Sequence, residues 1–599
     1  MKTKTPLPGL DVLVLDCQAT GANPENGHLM EIGWTRTQAS RVGEFNESMI
    51  ESHLFRLPEG VEIPRRVTRI TGLKTEDFEP GLPVKKIWKK LAKIAREIAS
   101  ANGHERCPTV IHFSRFEEPY LRFLHRQYAK RKPFPFEIIC TYRLTRRLLP
   151  NLPRKGLRAT AGYLGYSVPE LRRAGHHTAA TVFIWQQVVQ LLEKQGIHTL
   201  EELNEWLTTP LSNSAVPGTD FPMEAELRRT LPKKPGVYRM LRSNGDLLYI
   251  GKATSLKHRV NSYFHKKKRS AQARNTLEML TQASHLEVIV TGSALEAALM
   301  ETDEIKKHSP PYNVALRQRD REIAFFSRDL RQCSPEPDDC YTIGPLPSKE
   351  SLTAFASIGA LLNGQVTDSQ GIDVPSLSLG IPPDYAPETD CFHEGIEMFR
   401  DRHSLLLKES EGNDFKRDLL MLGKQLRVQK LEELALAESE ENNNDAIDEA
   451  EEVNDTETEE QTKIWTPESV ADVMEGIVRY GAHLIRRARW FCLLSESSLA
   501  WQTGETAGRQ QRLLVFQNGT ILREEDMTTG QSIPSPPGYR KPFALRQHSF
   551  DVMTYDRLRV LTTELRRIVS DETDRQVRLR LSPNVVLGCQ QLLNLLKYI

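Results

Sequence analysis

The sequence predicts an α/β multidomain protein that closes on an α+β C-terminal region. Three observations carry this. A chain of 599 residues is too long for one hydrophobic core and implies several domains. Residues 1–195, and again 231–319, alternate short apolar runs with helical stretches, as strands and helices sharing a sheet do. From 463 to 599 the chain reads as a folded α+β tail.

Composition narrows the class. At 39% hydrophobic and 27% charged the chain supports folded domains and excludes wholesale disorder. No run approaches the ~20 apolar residues of a membrane helix. The opening MKTKTPLPGLD lacks an apolar signal core. The expectation is a soluble cytoplasmic protein with no membrane partner. The eight cysteines form no CxxC pair, so neither a disulfide framework nor structural zinc is expected.

The net charge of +1 hides a segregation. Residues 432–460 hold 14 acidic side chains in 29 and no Lys or Arg. Without them the chain has 80 basic residues against 65 acidic ones, a balance of +15. Residues 232–319 hold 16 Lys and Arg against 7 Asp and Glu, or +9, which suits a phosphate backbone as partner.

In chain order, Asp11–Leu15 (DVLVL) reads as a buried strand ending at Asp16. Polar and proline-rich stretches follow, then a helix over Val84–Ser100. Thr109–Phe113 (TVIHF) is a second buried strand, and Glu117–Arg126 a helix. Leu157–Leu164 and Thr178–Leu192 read as further helices, closing a first domain at 195. Residues 196–230 read as a linker, centred on the Pro- and Ser-rich stretch 208–222. The second α/β domain spans 231–319, a mixed helical region 320–431, and an acidic low-complexity linker 432–462.

The second domain carries the clearest chemistry. Gly236–Val237–Tyr238 lies on one short strand and Tyr249–Ile250–Gly251 on the next. The turn Ser243–Asn244–Gly245–Asp246 between them is of the Asn-Gly hairpin kind, so the two tyrosines land on neighbouring strands. Lys252 precedes a helix over Leu256–Phe264, on which Arg259 and Tyr263 are four apart and share a face. A later helix opens with Ser293 and Glu296 as a capping box. Its stripe of Ala294, Leu295, Ala298, Leu299 and Ile305 leaves Glu301 at the apolar edge and turns Glu304 farther out. Pro310 and Pro311 stop it, and Asn313 follows.

The ordered blocks GVY, LYIGKA, LKHRVNSYF, LEAALMETDEIKKH and PPYN resemble the GIY-YIG nuclease domain of UvrC-type excision-repair endonucleases, including the short Cho branch. The resemblance spans about 90 residues, with GVY standing for GIY. It implies seven functional positions, all present: Tyr238, Tyr249, Lys252, Arg259, Tyr263, Glu301 and Asn313. The chemistry these residues suit is hydrolysis of one phosphodiester. Glu301 is the expected ligand of a single Mg²⁺ or Mn²⁺ that keeps most of its waters. Arg259 is expected to stabilise the developing negative charge. Tyr249 is the expected general base, activated by the neighbouring Lys252, with Tyr238 as its rival. Asn313 and Tyr263 are expected to position metal, water or phosphate.

The first domain resembles the DnaQ-like (DEDD) 3′–5′ exonucleases over about 185 residues, through DCQATG after the first strand, HFSRFE after the second, LRATAGYLG, and RRAGHHTAAT. The resemblance implies an RNase H-like sheet with four carboxylates, two metals and a histidine base. Asp16 matches the first aspartate. Gln18 stands where the family has glutamate, and Glu117 where it has aspartate. In the last motif Arg172 falls at the base and His177 at the final aspartate; in a slipped register His176 or His177 is itself the base. Between Glu137 and Glu193 the one acidic residue is Glu170, outside the last helix, so no register supplies the final carboxylate. Two metals need several carboxylates to offset their charge, and this domain is expected to be an inactive, DNA-binding scaffold.

Farther on, Tyr341–Pro345 faintly resembles the segment after the nuclease domain in UvrC-type proteins. There is no helix-hairpin-helix signature, second nuclease or UvrB-binding motif, which is the Cho pattern and implies one incision. Arg486–Trp490 and Asp556–Arg559 read as surface helices, with phosphate contact as the alternative. The expected partners are DNA and a UvrB-type damage-loading protein. The competing readings are a structure-specific or defence nuclease with an active exonuclease domain, and a non-catalytic DNA-binding adaptor.

Overall fold

The computed structural model describes residues 5–41, 46–167, 171–210, 221–264, 274–313, 322–364, 374–381, 385–407, 415–440, 465–502, 510–536, 550–570 and 576–599. Glu170, most of the stretch 208–222 and residues 441–462 lie outside them. The chain divides into two units, 1–297 with 308–317, and 298–307 with 318–599.

The first unit opens on a five-stranded sheet, β1 (Val12–Ala19), β2 (Leu29–Thr37), β3 (Glu51–Leu54), β4 (Cys107–Ile111) and β5 (Phe136–Cys140), in the order β3-β2-β1-β4-β5. β1 runs antiparallel to β2 and parallel to β4, which is parallel to β5. Period-two alternation splits β1 between two cores. Leu13 and Leu15 join Ile87, Trp88, Leu91 and Ile98 of helix α1 (Val84–Asn102) on one side. Val12 and Val14 join Ile184, Trp185 and Val188 on the other. The strand predicted to stop at Leu15 continues to Ala19, because β2 supplies ladder partners: Asp16 faces Gly33 and Gln18 faces Glu31. Asp16 and Gln18, two apart, share one face at the end of the central strand.

Further helices of this domain include α2 (Ser114–Ala129), α3 (Leu157–Tyr163) and α4 (Ala174–Lys194). The linker expectation for 196–230 fails at its start. Leu200–Thr208 is a helix, α5, opened by a Thr199–Glu202 capping box. Leu200 and Leu203 are buried in the first domain's core, so that apolar face holds the segment down.

The second domain begins with the sheet β7-β6-β8, from β6 (Gly236–Leu241), β7 (Leu247–Ala253) and β8 (His285–Val290), all antiparallel. Gly245 takes φ +89° at the hairpin, which only the missing Cβ makes easy. Helices α6 (Leu256–Ser262) and α7 (Arg274–Gln282) follow, and then α8 (Ala294–His308), which runs from the first unit into the second. Ser293 Oγ accepts the Glu296 N–H at 3.2 Å, so α8 starts at its predicted cap.

The second unit holds a three-stranded sheet, β9 (Ala324–Ser327), β10 (Cys333–Ser334) and β11 (Tyr341–Leu346), and three long helices, α9 (Thr389–Arg402), α10 (Phe415–Glu440) and α11 (Pro467–Leu494). Phe392, Phe399, Leu419, Leu422, Met474 and Val478 pack these helices together. An antiparallel sheet follows, β12 (Ser498–Trp501), β13 (Gln510–Gln517), β14 (Thr520–Thr528), β15 (Arg578–Ser582) and β16 (Val585–Gly588), ordered β14-β13-β12-β15-β16, with α12 (Val552–Ser570) between β14 and β15 in the chain. The acidic stretch is not all irregular: its first residues, to Glu440, continue α10. The basic runs on α11 and α12 are largely internal. Arg557 Nε lies 2.6 Å from Asp303 Oδ1, Lys306 Nζ 2.6 Å from Asp556 Oδ2, and Arg486 Nη2 donates to Leu420 O at 2.8 Å. Among the described residues no helix is long and apolar enough to cross a membrane.

Candidate functional site

The tyrosine site grows out of the β6–β7 hairpin. Tyr238 pairs with Gly251 and Met240 with Tyr249 across the two strands. Tyr238 and Tyr249 therefore share a sheet face, with ring centroids 6.0 Å apart. Gly251 is required there: a Cβ would collide with the Tyr238 phenol, which lies over that position. Tyr263, capping the end of α6, brings its hydroxyl within 2.9 Å of the Tyr238 hydroxyl. Arg259, one turn earlier, stacks its guanidinium 5.2 Å from the Tyr263 ring.

Burial, helped by the neighbouring Tyr249 and Tyr263, pushes the Tyr238 phenol well above its ordinary pKa, with Arg259 opposing. Burial also works against the Arg259 charge, but the phenols of Tyr263, Tyr238 and Tyr249 more than offset it. Three tyrosines thus converge on one guanidinium. Lys252, expected beside Tyr249, lies three residues along the same strand, and alternation puts it on the opposite face. Arg259 is a cation that this geometry turns toward Tyr249.

Asn313 takes a position the sequence did not suggest. Its Oδ1 accepts the Ile250 N–H at 3.0 Å and its Nδ2 donates to Ile250 O at 2.8 Å. Both polar atoms clamp the backbone between Tyr249 and Gly251, where a role toward metal, water or phosphate was expected. Glu301 lies on α8, partly buried, and Glu304 is partly buried too rather than turned outward. A lone carboxylate of this kind fits a magnesium ion that keeps several waters. Among the described residues no three His, Cys, Asp or Glu side chains gather into a metal-binding group.

The exonuclease-like residues do meet, around the end of β1. His177 Nδ1 lies 3.1 Å from Asp16 Oδ2, and His177 Nε2 3.2 Å from Leu171 O. Burial opposes the imidazolium, but the Asp16 charge and hydrogen bond prevail and raise the His177 pKa. Gln18 Nε2 donates to Arg172 O at 2.7 Å, a bond no carboxylate can donate. The Arg172 side chain is exposed, and His176 is exposed beside it. Glu117 is buried, and burial followed by the charge of Asp16 raises its pKa well above the carboxylate range. His112, from the HFSRFE motif, is held neutral by burial, its pKa down to about 4.

A further carboxylate was missed. Glu31 on β2 is buried and takes a forked ion pair from Arg173, 3.1 and 3.0 Å from Nε and 2.8 Å from Nη2. It also accepts the Ala174 N–H at 3.0 Å and so caps α4. The sequence signal was its place opposite Gln18, legible only once β2 is read as a strand.

Comparison with known proteins finds matches to two domain models. Residues 13–181 match the exonuclease (RNase_T) model and residues 234–314 the UvrC-like GIY-YIG domain model. The chain joins an exonuclease-family domain to a UvrC-like GIY-YIG nuclease domain. It is 27% identical over 311 residues, half of this chain and 44% of the relative, to a protein of Mycobacterium tuberculosis (strain CDC 1551 / Oshkosh) described as a bifunctional exonuclease/endonuclease. It is 50% identical over 100 residues, 17% of this chain and 16% of the relative, to UvrABC system protein C of Psychrobacter sp. (strain PRwf-1). The chain thus spans less than half the length of either relative. Among solved structures, the GIY-YIG domain of UvrC from Thermotoga maritima, bound to its catalytic magnesium, is 34% identical, with 15% of this chain and all of that one covered and a TM-score of 0.14.

Proposed function

We propose that the chain is a metal-dependent endonuclease that makes a single-strand incision in nucleotide excision repair, as UvrC and its short homologue do, with the exonuclease fold kept as a DNA-binding scaffold without 3′–5′ activity. The observation that carries this reading is the convergence of Tyr238, Tyr249 and Tyr263 on Arg259.

Tyr238 is buried and keeps its proton, so its hydroxyl orients Tyr263 rather than serving as base. Tyr249, on the same face and under the charge of Arg259, takes the proton of the attacking water. Arg259 then stabilises the charge that grows on the phosphate as water adds and the leaving oxygen departs. Glu301 would hold one Mg²⁺ or Mn²⁺, which when bound supplies charge stabilisation at the leaving oxygen. The DNA is drawn in by the +9 of residues 232–319.

The silent exonuclease reading rests on occupied positions. Asp16 is paired with His177, and Gln18 is committed to Arg172 O. Two divalent ions would face too little negative charge to offset their desolvation.

Incision of a lesion-containing duplex, with and without a UvrB-type loading protein, tests the whole reading. One nick near the lesion that depends on the loading protein is the expected result. Lesion-independent cutting of branched substrates would replace excision repair with a structure-specific role.

A further inference from the structure

The exonuclease-like domain and the GIY-YIG domain share a seam within the first unit. Helix α3 of the former packs against α7 of the latter. The approach is so close at Gly162 that a Cβ there would run into the Gln282 side chain. Arg158 Nε lies 3.9 Å from Glu278 Oε1. Along one edge Ser167 Oγ donates to Asp246 Oδ2 at 2.6 Å, and Asn244 Nδ2 donates to Gly165 O at 3.2 Å.

The α7 side chains at this seam do not stop there. Gln282 is buried, accepts from Arg242 Nε at 3.0 Å and donates to the Tyr312 hydroxyl at 2.6 Å. The Tyr312 hydroxyl in turn donates to Glu278 Oε1 at 2.8 Å. Arg242 also reaches Asp246 Oδ2 at 3.2 Å, so both edges of the seam meet at one buried guanidinium. Tyr312 adjoins Asn313, whose amide clamps both backbone groups of Ile250. Ile250 lies between the proposed base Tyr249 and the glycine that seats Tyr238.

We propose that the exonuclease-like domain serves the endonuclease as a positioning element: docked at Gly162 and Arg158, it braces Gln282, Glu278 and Tyr312, and through Asn313 fixes strand β7 at Ile250. Gln282, Glu278 and Tyr312 are positioning residues: their side-chain hydrogen bonds run among themselves and to Arg242. A largely buried, hydrogen-bonded polar chain has few alternative arrangements, so it carries rigidity from the seam to the strand. On the reading that the retained fold no longer binds two metals, it then has a task that needs only its surface. The part of this inference that concerns rate rests on the endonuclease reading above; the part that concerns the clamp does not.

The test uses the full chain with two variants. Gly162→Leu wedges the seam, and Arg158→Ala with Ser167→Ala loosens it from the exonuclease side without adding bulk. Two quantities are followed, hydrogen exchange at the Ile250 amide and single-turnover, Mg²⁺-dependent nicking of supercoiled plasmid. Both variants should raise Ile250 exchange, leave that of Val14 unchanged, and slow nicking about tenfold with DNA affinity preserved, since small misplacements of reacting groups cost rate rather than binding. Unchanged Ile250 exchange in both variants overturns the clamp. Faster exchange with an unchanged nicking rate overturns its positioning role. Faster exchange in a protein whose wild type makes no nick upholds the seam and rejects the endonuclease reading instead.

Discussion

His177 Nδ1 stands 3.1 Å from Asp16 Oδ2, at the end of the central strand where the exonuclease family gathers carboxylates around two metals. An imidazole whose pKa is raised by that same aspartate adds positive character where a metal would need the opposite. The full chain carrying Glu301→Gln, which removes the proposed endonuclease, should leave a 3′-labelled single strand intact in Mg²⁺ or Mn²⁺. Release of the label as a mononucleotide would mean that a carboxylate such as Glu31 is recruited to the site.

Arg259 and the tyrosines divide the labour. Arg259→Ala should lower the nicking rate by about 10² to 10³, the usual cost of losing one preorganised charge stabiliser, and Arg259→Lys should restore little of it, lacking the planar fork. Tyr249→Phe should abolish the rise of rate with pH that a proton-accepting phenol gives. Tyr238→Phe should keep that rise at a reduced rate. The reverse pattern would make Tyr238 the base.

DNA affinity should fall steeply with salt, because residues 232–319 carry +9 and binding releases counterions. Titrations between about 50 and 200 mM salt measure the slope. A flat response would turn this basic surface away from the phosphate backbone.

His483 gives the second unit an acid sensitivity. Burial, then Arg427, Arg487, Arg566 and Arg486, depress its pKa to about 3, so it is neutral when folded. Unfolded, the imidazole takes a proton below about pH 6.5. Below that pH the unfolded chain binds the extra proton, so stability declines as pH falls from about 6.5 toward the folded value. Between pH 7 and 5 this one group should cost roughly 2 kcal/mol. Hydrogen exchange along α11 should register that loss in the wild type and a smaller one in His483→Leu. Equal losses in both would assign the acid sensitivity to other groups.

Much of the tyrosine site was legible because its parts are local in sequence. The Asn-Gly turn sets the hairpin, the spacing of four sets Arg259 against Tyr263, and Ser293 with Glu296 starts α8. Strand alternation sets Lys252 and Tyr249 on opposite faces of β7, a relation that proximity in sequence hides. Helix α5 was missed although Thr199 and Glu202 announce it, because the proline-rich stretch after it dominates the composition. The Glu31–Arg173 pair and the Asn313 clamp lay beyond reach for another reason. Each joins residues far apart in the chain, 142 and 63 positions respectively, and depends on strand pairing that no local pattern specifies.

The GIY-YIG site is proposed as the chain's working nuclease. Single-turnover nicking of supercoiled DNA in Mg²⁺ by wild type and Glu301→Gln, with DNA binding measured in parallel, tests it most directly. A metal-dependent nick from the wild type, and none from Glu301→Gln at nearly unchanged affinity, is the expected result. Near-normal nicking by Glu301→Gln would contradict it.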